Sequence, residues 1–347
     1  MMKAILLPRF GDPDVLEFAD VPCPEPGPGQ VRIRVHAVVV ARTKDVALRS
    51  GRHPFARAVT LPHVPGTEHA GTVDATGAGV DPGLVGRPVA VSAVLPCGTC
   101  RACGRGRDEA CPDLRLLGVH RPGGYAQFCV APAANVVPVP DGVPFPHAAA
   151  LAANGPVARA QLDAGAVGAG TTVLVLGASG ALGSTVAALA RFRGARVIAT
   201  ARLGARPDCL ADVPAQARLD IDRPDLAEAV LDLTGGWGAD CVVDNLGLPR
   251  LWPRYQPALA ATGRVVVSGA LEETPVPVGF RPLYLRNHAI IGVRTGNRAD
   301  IAGLWADVRA GFRLVPALVS TMPLAQAAAA HRTVEAGRHR GQIVLVP

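Results

Sequence analysis

Thr172-Val-Leu-Val-Leu-Gly177-Ala-Ser-Gly180-Ala-Leu-Gly183 decides the fold of this 347-residue chain. Thr172–Leu176 is a short apolar run of the kind a strand covered on both faces requires. A G-x-x-G-x-x-G turn follows, then residues of helical character to about Arg193, then a second apolar run, Arg196–Thr200. No proline interrupts Val157–Arg206, so the pattern predicts an unbroken strand–turn–helix–strand unit. Further strands are expected at Cys241–Asp244 and Arg264–Ser268, followed by Gly247 and Gly269. Strands alternating with helices, with glycine after their carboxyl ends, predict a doubly wound α/β domain that binds its ligand along that edge. Ala164–Ala190 is uncharged and long enough to raise the question of a membrane span, but its six glycines lower its hydrophobicity. The strand–turn–helix reading is preferred.

Glycines in such a turn let the chain reverse sharply and let a pyrophosphate approach bare backbone at a helix N-terminus. Gly177, Ala178, Ser179, Gly180, Ala181, Leu182 and Gly183 are therefore candidate cofactor contacts, with Gly247 and Gly269 on the same edge. NAD-specific versions place an acid at the end of the second strand to bind the ribose 2′-hydroxyl. Here the run is Ala199-Thr200-Ala201-Arg202, without a carboxylate and with Arg206 close behind. Thr200 and Arg202 are candidate contacts, and a guanidinium beside a 2′-phosphate favours NADPH over NADH.

The first 146 residues differ in texture. They hold 19 of the 32 prolines, and Val31–Val38 alternates at period two, which predicts short strands in a loop-rich setting. Cys97, Cys100, Cys103 and Cys111 form C-x2-C-x2-C-x7-C, with Gly98, Gly104 and Gly106 between them. Four thiolates with no fifth partner describe a closed structural Zn2+ site. An iron–sulfur cluster is the competing reading, though its usual fourth spacing is shorter and no second cluster motif is present. The remaining Cys23, Cys129, Cys209 and Cys241 are scattered and read as buried free thiols.

Composition narrows the partners. Of 35 basic residues only Lys3 and Lys44 are lysine, and the formal charge is +7. Arginine bias of this kind is background rather than a ligand signal. With no basic block and 4% aromatic residues, nucleic acid is a poor candidate. No membrane segment and no signal-peptide core are expected, and the chain reads as cytoplasmic.

Together these residues resemble the medium-chain dehydrogenase/reductase superfamily. The resemblance extends through Pro65-Gly-Thr-Glu-His-Ala-Gly71, Gly123-Gly-Tyr-Ala-Gln127, Gly238-Ala-Asp-Cys-Val-Val-Asp244, Gly263-Arg-Val-Val-Val-Ser-Gly269 and the ending from His331 to Leu345. It implies a GroES-like β-rich catalytic domain (1–150), a Rossmann domain with a parallel sheet (151–285) and a C-terminal return to the catalytic domain (286–347). It also implies a structural zinc in the cysteine lobe and a homodimer or homotetramer.

The departures are as informative. Zinc alcohol dehydrogenases of this family hold a catalytic metal with Cys, His and a second Cys or acid. Here the matching positions are Arg42, Thr67 and Asn154. Arginine does not deprotonate and cannot ligate zinc, so no catalytic zinc is expected. Arg42 is expected either to pair with Glu68, filling the place of the metal, or simply to line the substrate cleft. Without a Lewis acid, alkoxide formation loses its usual support. Hydride addition to a conjugated C=C bond places charge on an oxygen that hydrogen bonds can hold. The expected function is an NADPH-dependent reductase of an activated alkene or a quinone. A metal-free carbonyl reductase or alcohol dehydrogenase, or a non-catalytic NADPH-binding protein, are the alternatives. Thr43, Lys44 and His53 are the candidate catalytic donors; Arg42, Thr67, Glu68 and Asn154 are the candidate cleft residues.

Overall fold

The computed structural model describes residues 1–204 and 206–347, and these form two compact units. Met1–Ala153 with Val319–Pro347 make the first; Asn154–Leu318 make the second. The boundary falls inside the helix Phe145–Ala164. The chain therefore rejoins the first unit at Val319 and not at 286. A sixth parallel strand and the helix Arg298–Arg309 lie before that point, and the strand pairs with the second unit's sheet.

The first unit is built from short strands: β1 (Met2–Leu6), β2 (Glu17–Val21), β3 (Gln30–Val39), β4 (His69–Thr76), β5 (Pro88–Val91), β6 (Val94–Leu95), β7 (Arg115–Leu116), β8 (Phe128–Pro132) and β9 (Val136–Pro138). β3 shows why the alternation matters. Val31, Ile33 and Val35 are buried, while Arg32 and Arg34 face outward and pair with Asp74 on β4. Side chains alternate across the pleat, so the apolar set packs into the core and the charged set meets its counter-ion on the same outer face.

The second unit contains β10 (Thr172–Leu176), β11 (Arg196–Ala201), β12 (Ala217–Asp220), β13 (Ala239–Asp244), β14 (Leu259–Val267) and β15 (Ala289–Gly292). They form one parallel sheet in the order β12-β11-β10-β13-β14-β15. In sequence terms that is 3-2-1-4-5-6, the doubly wound order of the Rossmann fold. β10 is buried at all five positions, as its uninterrupted apolar run requires. In the first unit, β16 (Val319–Pro323) and β17 (Gln342–Val346) complete a seven-stranded sheet ordered β16-β17-β3-β4-β5-β9, with β8 also pairing β3.

No helix among the described residues is long and apolar enough to cross a membrane. All eight cysteines are free of disulfides; Cys129, Cys209 and Cys241 are buried, whereas Cys23, expected to be buried, is half-buried.

Candidate active site

The glycine turn is fixed by contacts that only glycine allows. Gly177 has φ +74°, in the left-handed region. A Cβ on Gly183 would stand 2.3 Å from the Gly177 carbonyl oxygen, so the helix start can close on the turn only without one. Gly180 caps the helix Ala181–Phe192 in extended conformation and has no side chain to bond the first turn. The helix's leading N–H groups are thus free for an anion. Ala178 N–H donates to the Thr200 carbonyl at 2.8 Å, tying the turn to β11. On the same sheet edge, Gly247 (φ +55°) interlocks with Gly269: a Cβ on either would come within 2.1–2.2 Å of backbone.

The end of β11 corrects one expectation. Thr200 is fully buried, and its hydroxyl donates to the Val175 carbonyl at 3.1 Å. Its side chain is spent inside the sheet rather than offered to a cofactor. Arg202 is exposed directly beyond the strand and makes no ion pair among the described residues. An acid does lie nearby, but on the neighbouring strand: Asp220 stands opposite Ala201 and accepts from Leu203 N–H at 3.4 Å.

In the first unit, Arg42–Val46 form a single wide helical turn. Asp45 is its anchor. It is fully buried and accepts backbone N–H groups from Ala41 at 2.9 Å, Gly66 at 3.2 Å and Thr67 at 3.3 Å. Burial pushes its carboxyl up to about 7, against the pull of the Ala41 amide, and nearby Glu68 pushes the same way. Asp45 thus fastens the turn carrying Lys44 to the loop carrying Thr67 and Glu68.

That arrangement selects a different cation from the one expected. Lys44 Nζ lies 2.7 Å from Glu68 Oε1, with 26% and 2% of the two side chains exposed. Arg42 is exposed and pairs with no carboxylate among the described residues. The physical reason is direction: position 44 faces back towards the strand start at Glu68, while 42 and 43 face outward. Thr43 is exposed as well. Thr67 is fully buried, and its hydroxyl has no partner among the described residues. Asn154 belongs to the second unit.

His53, the third candidate donor, is buried. It is 8% exposed, and its Nδ1 accepts the Phe55 N–H at 3.1 Å. Burial lowers its pKa to about 4, so it is neutral at pH 7 with the proton on Nε2. A neutral imidazole can donate a hydrogen bond there, but not act as an imidazolium.

Tyr125 and His331 form a pair that sequence reading did not find. The two are fully buried, with Tyr125 Oη 3.0 Å from His331 Nε2. Burial, with Asp45 and Glu68 nearby, pushes the Tyr125 phenol well up. Both stand in quoted motifs, but nothing in a linear sequence joins residues 206 positions apart.

The cysteine lobe closes as its spacing required. Cys97, Cys100, Cys103 and Cys111 Sγ atoms all lie within 4.8 Å of one another. Separations of 3.5, 3.9 and 4.0 Å fit the roughly 3.8 Å edge of a tetrahedron with Zn–S near 2.3 Å. Backbone N–H groups of Cys97, Cys100 and Cys103 point at sulfurs of the set at 3.3–3.5 Å, which favours the thiolate form. Among the described residues, this is the group of three or more His, Cys, Asp or Glu side chains disposed to hold a metal ion.

Two family models match the chain: the alcohol dehydrogenase GroES-like domain over residues 27–141 and zinc-binding dehydrogenase over 181–310. The NAD-dependent alcohol dehydrogenase of Sulfolobus acidocaldarius is 30% identical over 99% of both chains. The chain is a medium-chain dehydrogenase/reductase. The L-threonine 3-dehydrogenase of Anaeromyxobacter dehalogenans is 32% identical over 79% of this chain and 78% of its own. A crystal structure of an NAD-dependent alcohol dehydrogenase superposes with TM-score 0.90 at 35% identity over the whole of both chains.

This dehydrogenase/reductase is accordingly a GroES-like domain joined to a Rossmann domain, and an NAD(P)-dependent oxidoreductase. The glycine turn and the cysteine set suit the nicotinamide cofactor and the zinc of the family. Near the start of β4 it has a cation on a buried carboxylate, held by the buried Asp45. A positively charged donor in that setting can bond an oxygen that gains negative charge.

Proposed function

We propose that this enzyme is an NADPH-dependent reductase of an activated C=C bond, an enone or enoyl compound, or of a quinone, working without a catalytic zinc. The observation that carries the reading is the Lys44–Glu68 pair at 2.7 Å, beside positions whose side chains are Arg42 and Thr67. Neither residue offers a zinc the ligand that its zinc-dependent relatives use. The glycine turn Gly177–Gly183 would hold the nicotinamide cofactor, which would supply hydride for the carbon β to the carbonyl. Lys44 Nζ would donate a hydrogen bond to the carbonyl oxygen as it gains charge, and a proton from solvent on the α-carbon would complete the saturated product. Glu68 holds Lys44 in place, and Asp45 holds both segments. The Thr67 hydroxyl, which has no partner among the described residues, is assigned to orienting substrate. His53 is assigned a supporting role as a neutral Nε2–H donor, and Thr43 and Arg42 contact substrate rather than chemistry.

The cofactor phosphate is assigned to Arg202, supported by its exposure at the end of β11 and the absence of an acid within that strand. One structural Zn2+ per chain is assigned to the four cysteines. A reduced, cytoplasmic setting suits four thiolates and four further free thiols. A homodimer or homotetramer is supported by the outer edge of the Rossmann sheet. There Phe280, Tyr284, Leu285 and Ile290 are exposed by 78, 67, 60 and 42%, beside the unpaired edge of β15.

NADPH and NADH oxidation should be followed against enones, enoyl thioesters, quinones and ketones, with metal content measured on the same sample. Turnover of enones or quinones with saturated or hydroquinone products and one zinc per chain is the expected result. Two zincs per chain overturn the reading. A second reading, interconversion of carbonyl and alcohol, draws on the alcohol and threonine dehydrogenase names of the relatives. Product analysis by NMR separates the two, since an allylic alcohol keeps the vinyl signals that a saturated ketone lacks.

A further inference from the structure

The first unit also carries a cavity of about 530 Å³, within the range of small-molecule sites. Met2 and Leu6 of β1, Val21 of β2, and Phe128, Cys129 and Val130 of β8 form its apolar wall. Two charged residues also line it, Glu25 and Arg121, and they are not equivalent. Arg32 Nη1 holds Glu25 at 2.7 Å, and Arg32 is itself held by Asp74 at 2.7 Å. The charge of Glu25 is therefore met within the protein. Arg121 has no such partner: its guanidinium makes no hydrogen bond or ion pair among the described residues. Its backbone is fixed all the same, because its carbonyl accepts the Gly118 N–H at 2.8 Å and it bridges Leu117.

We propose that this cavity binds an amphipathic monocarboxylate, its apolar body against β1, β2 and β8 and its carboxylate on Arg121. The two ends of the site demand both parts of that ligand. A small inorganic anion would leave the apolar wall wet, and a neutral or cationic amphiphile would leave the guanidinium unmatched or repelled. None of the lining residues belongs to the glycine turn, the cysteine set or the Lys44–Glu68 pair, so the proposal stands apart from the catalytic reading.

Calorimetric titration of the full-length zinc-loaded protein with decanoate, below its micelle concentration, tests this, with decan-1-ol and decyltrimethylammonium as comparison probes. One saturable decanoate site is expected, with decan-1-ol about fivefold weaker, the ratio an exposed ion pair of about 1 kcal/mol gives. Arg121→Ala should bring decanoate down to the level of decan-1-ol. Val21→Trp should fill the cavity and abolish binding, while NADPH affinity is unchanged. Absence of a saturable decanoate site overturns the proposal, as does binding that survives Val21→Trp in a folded variant. A preference for decanoate that persists in Arg121→Ala overturns the assigned head-group contact. If Val21→Trp fails to fold by circular dichroism, the decanoate-to-decanol ratio in Arg121→Ala decides.

Discussion

The glycine edge of the Rossmann unit and the Lys44–Glu68 site of the GroES-like unit show two ways of building a functional site. The first is made of backbone. Its working groups are N–H donors at a helix start, and its side chains matter mainly by being absent, as at Gly177 and Gly183. The second is made of side chains brought together from separate segments: Lys44 from one turn, Glu68 from the start of a strand, Asp45 bridging them. A backbone site tolerates little change in shape, whereas a side-chain site tolerates little change in charge. The two should therefore fail differently under mutation.

The sharpest test of that contrast is Lys44→Met, which removes the charge with little change in length. Loss of a preorganised donor to a developing oxyanion should lower kcat/KM by roughly 100- to 1000-fold. NADPH affinity by fluorescence titration should stay as in wild type. Unaltered turnover would remove Lys44 from the chemistry.

Gly183→Val probes the other region. Its Cβ would meet the Gly177 oxygen at 2.3 Å, so the turn must open. Overpacking of this kind costs about 1–3 kcal/mol, or roughly 5- to 150-fold in cofactor affinity if it falls on the bound state. The melting temperature of the cofactor-free protein should fall as well, which separates a shape defect from the charge defect of Lys44→Met.

Arg202→Ala is a smaller perturbation, at a side chain on the edge of the backbone site. The KM for NADPH should rise about tenfold, with the KM for NADH nearly unchanged, as expected for one charge-assisted contact of about 1.4 kcal/mol. Equal effects on both cofactors would mean that Arg202 does not read the 2′-phosphate.

The least visible effect is on pH dependence. Asp45 has a folded pKa near 7, above its ordinary 3.8, so between those values the native state binds more protons than the unfolded chain. Its contribution to stability is present at low pH and is lost as pH rises through 7. His53, lowered from 6.5 to about 4, contributes the opposite slope over pH 4–6.5. Denaturant unfolding of wild type and Asp45→Asn from pH 4 to 8 should show the wild type losing ground to the variant as pH increases. A constant difference would mean that Asp45 is ionised throughout.

Legibility in the sequence followed the same divide. The strand–turn–helix from Thr172, the βαβ unit and the four-cysteine lobe could be read because local spacing carries their geometry. Even so, the second domain boundary was misplaced. The segment from 286 to 318 adds β15 and a helix to the Rossmann unit, and strand pairing, not periodicity, decides where a short strand belongs. In the site, a cation beside Glu68 was one of two readings of Arg42, and the residue that supplies it was not legible. Arg42 and Lys44 are two residues apart, and only the direction of the turn chooses between them. Thr200 likewise lies at the expected strand end, yet its hydroxyl turns into the sheet.

The sequence by itself determined the two-domain plan, the glycine turn and the clustered cysteines, and it places Arg, Thr and Asn at positions 42, 67 and 154. All of these rest on residue types at short spacing, where the backbone has little freedom. The tertiary structure alone decided that Lys44 holds Glu68, that Asp45 ties the two segments, that Tyr125 meets His331 and that His53 is neutral. Those depend on burial and on contacts between distant segments, and a side chain's charge and direction are set by what surrounds it after folding.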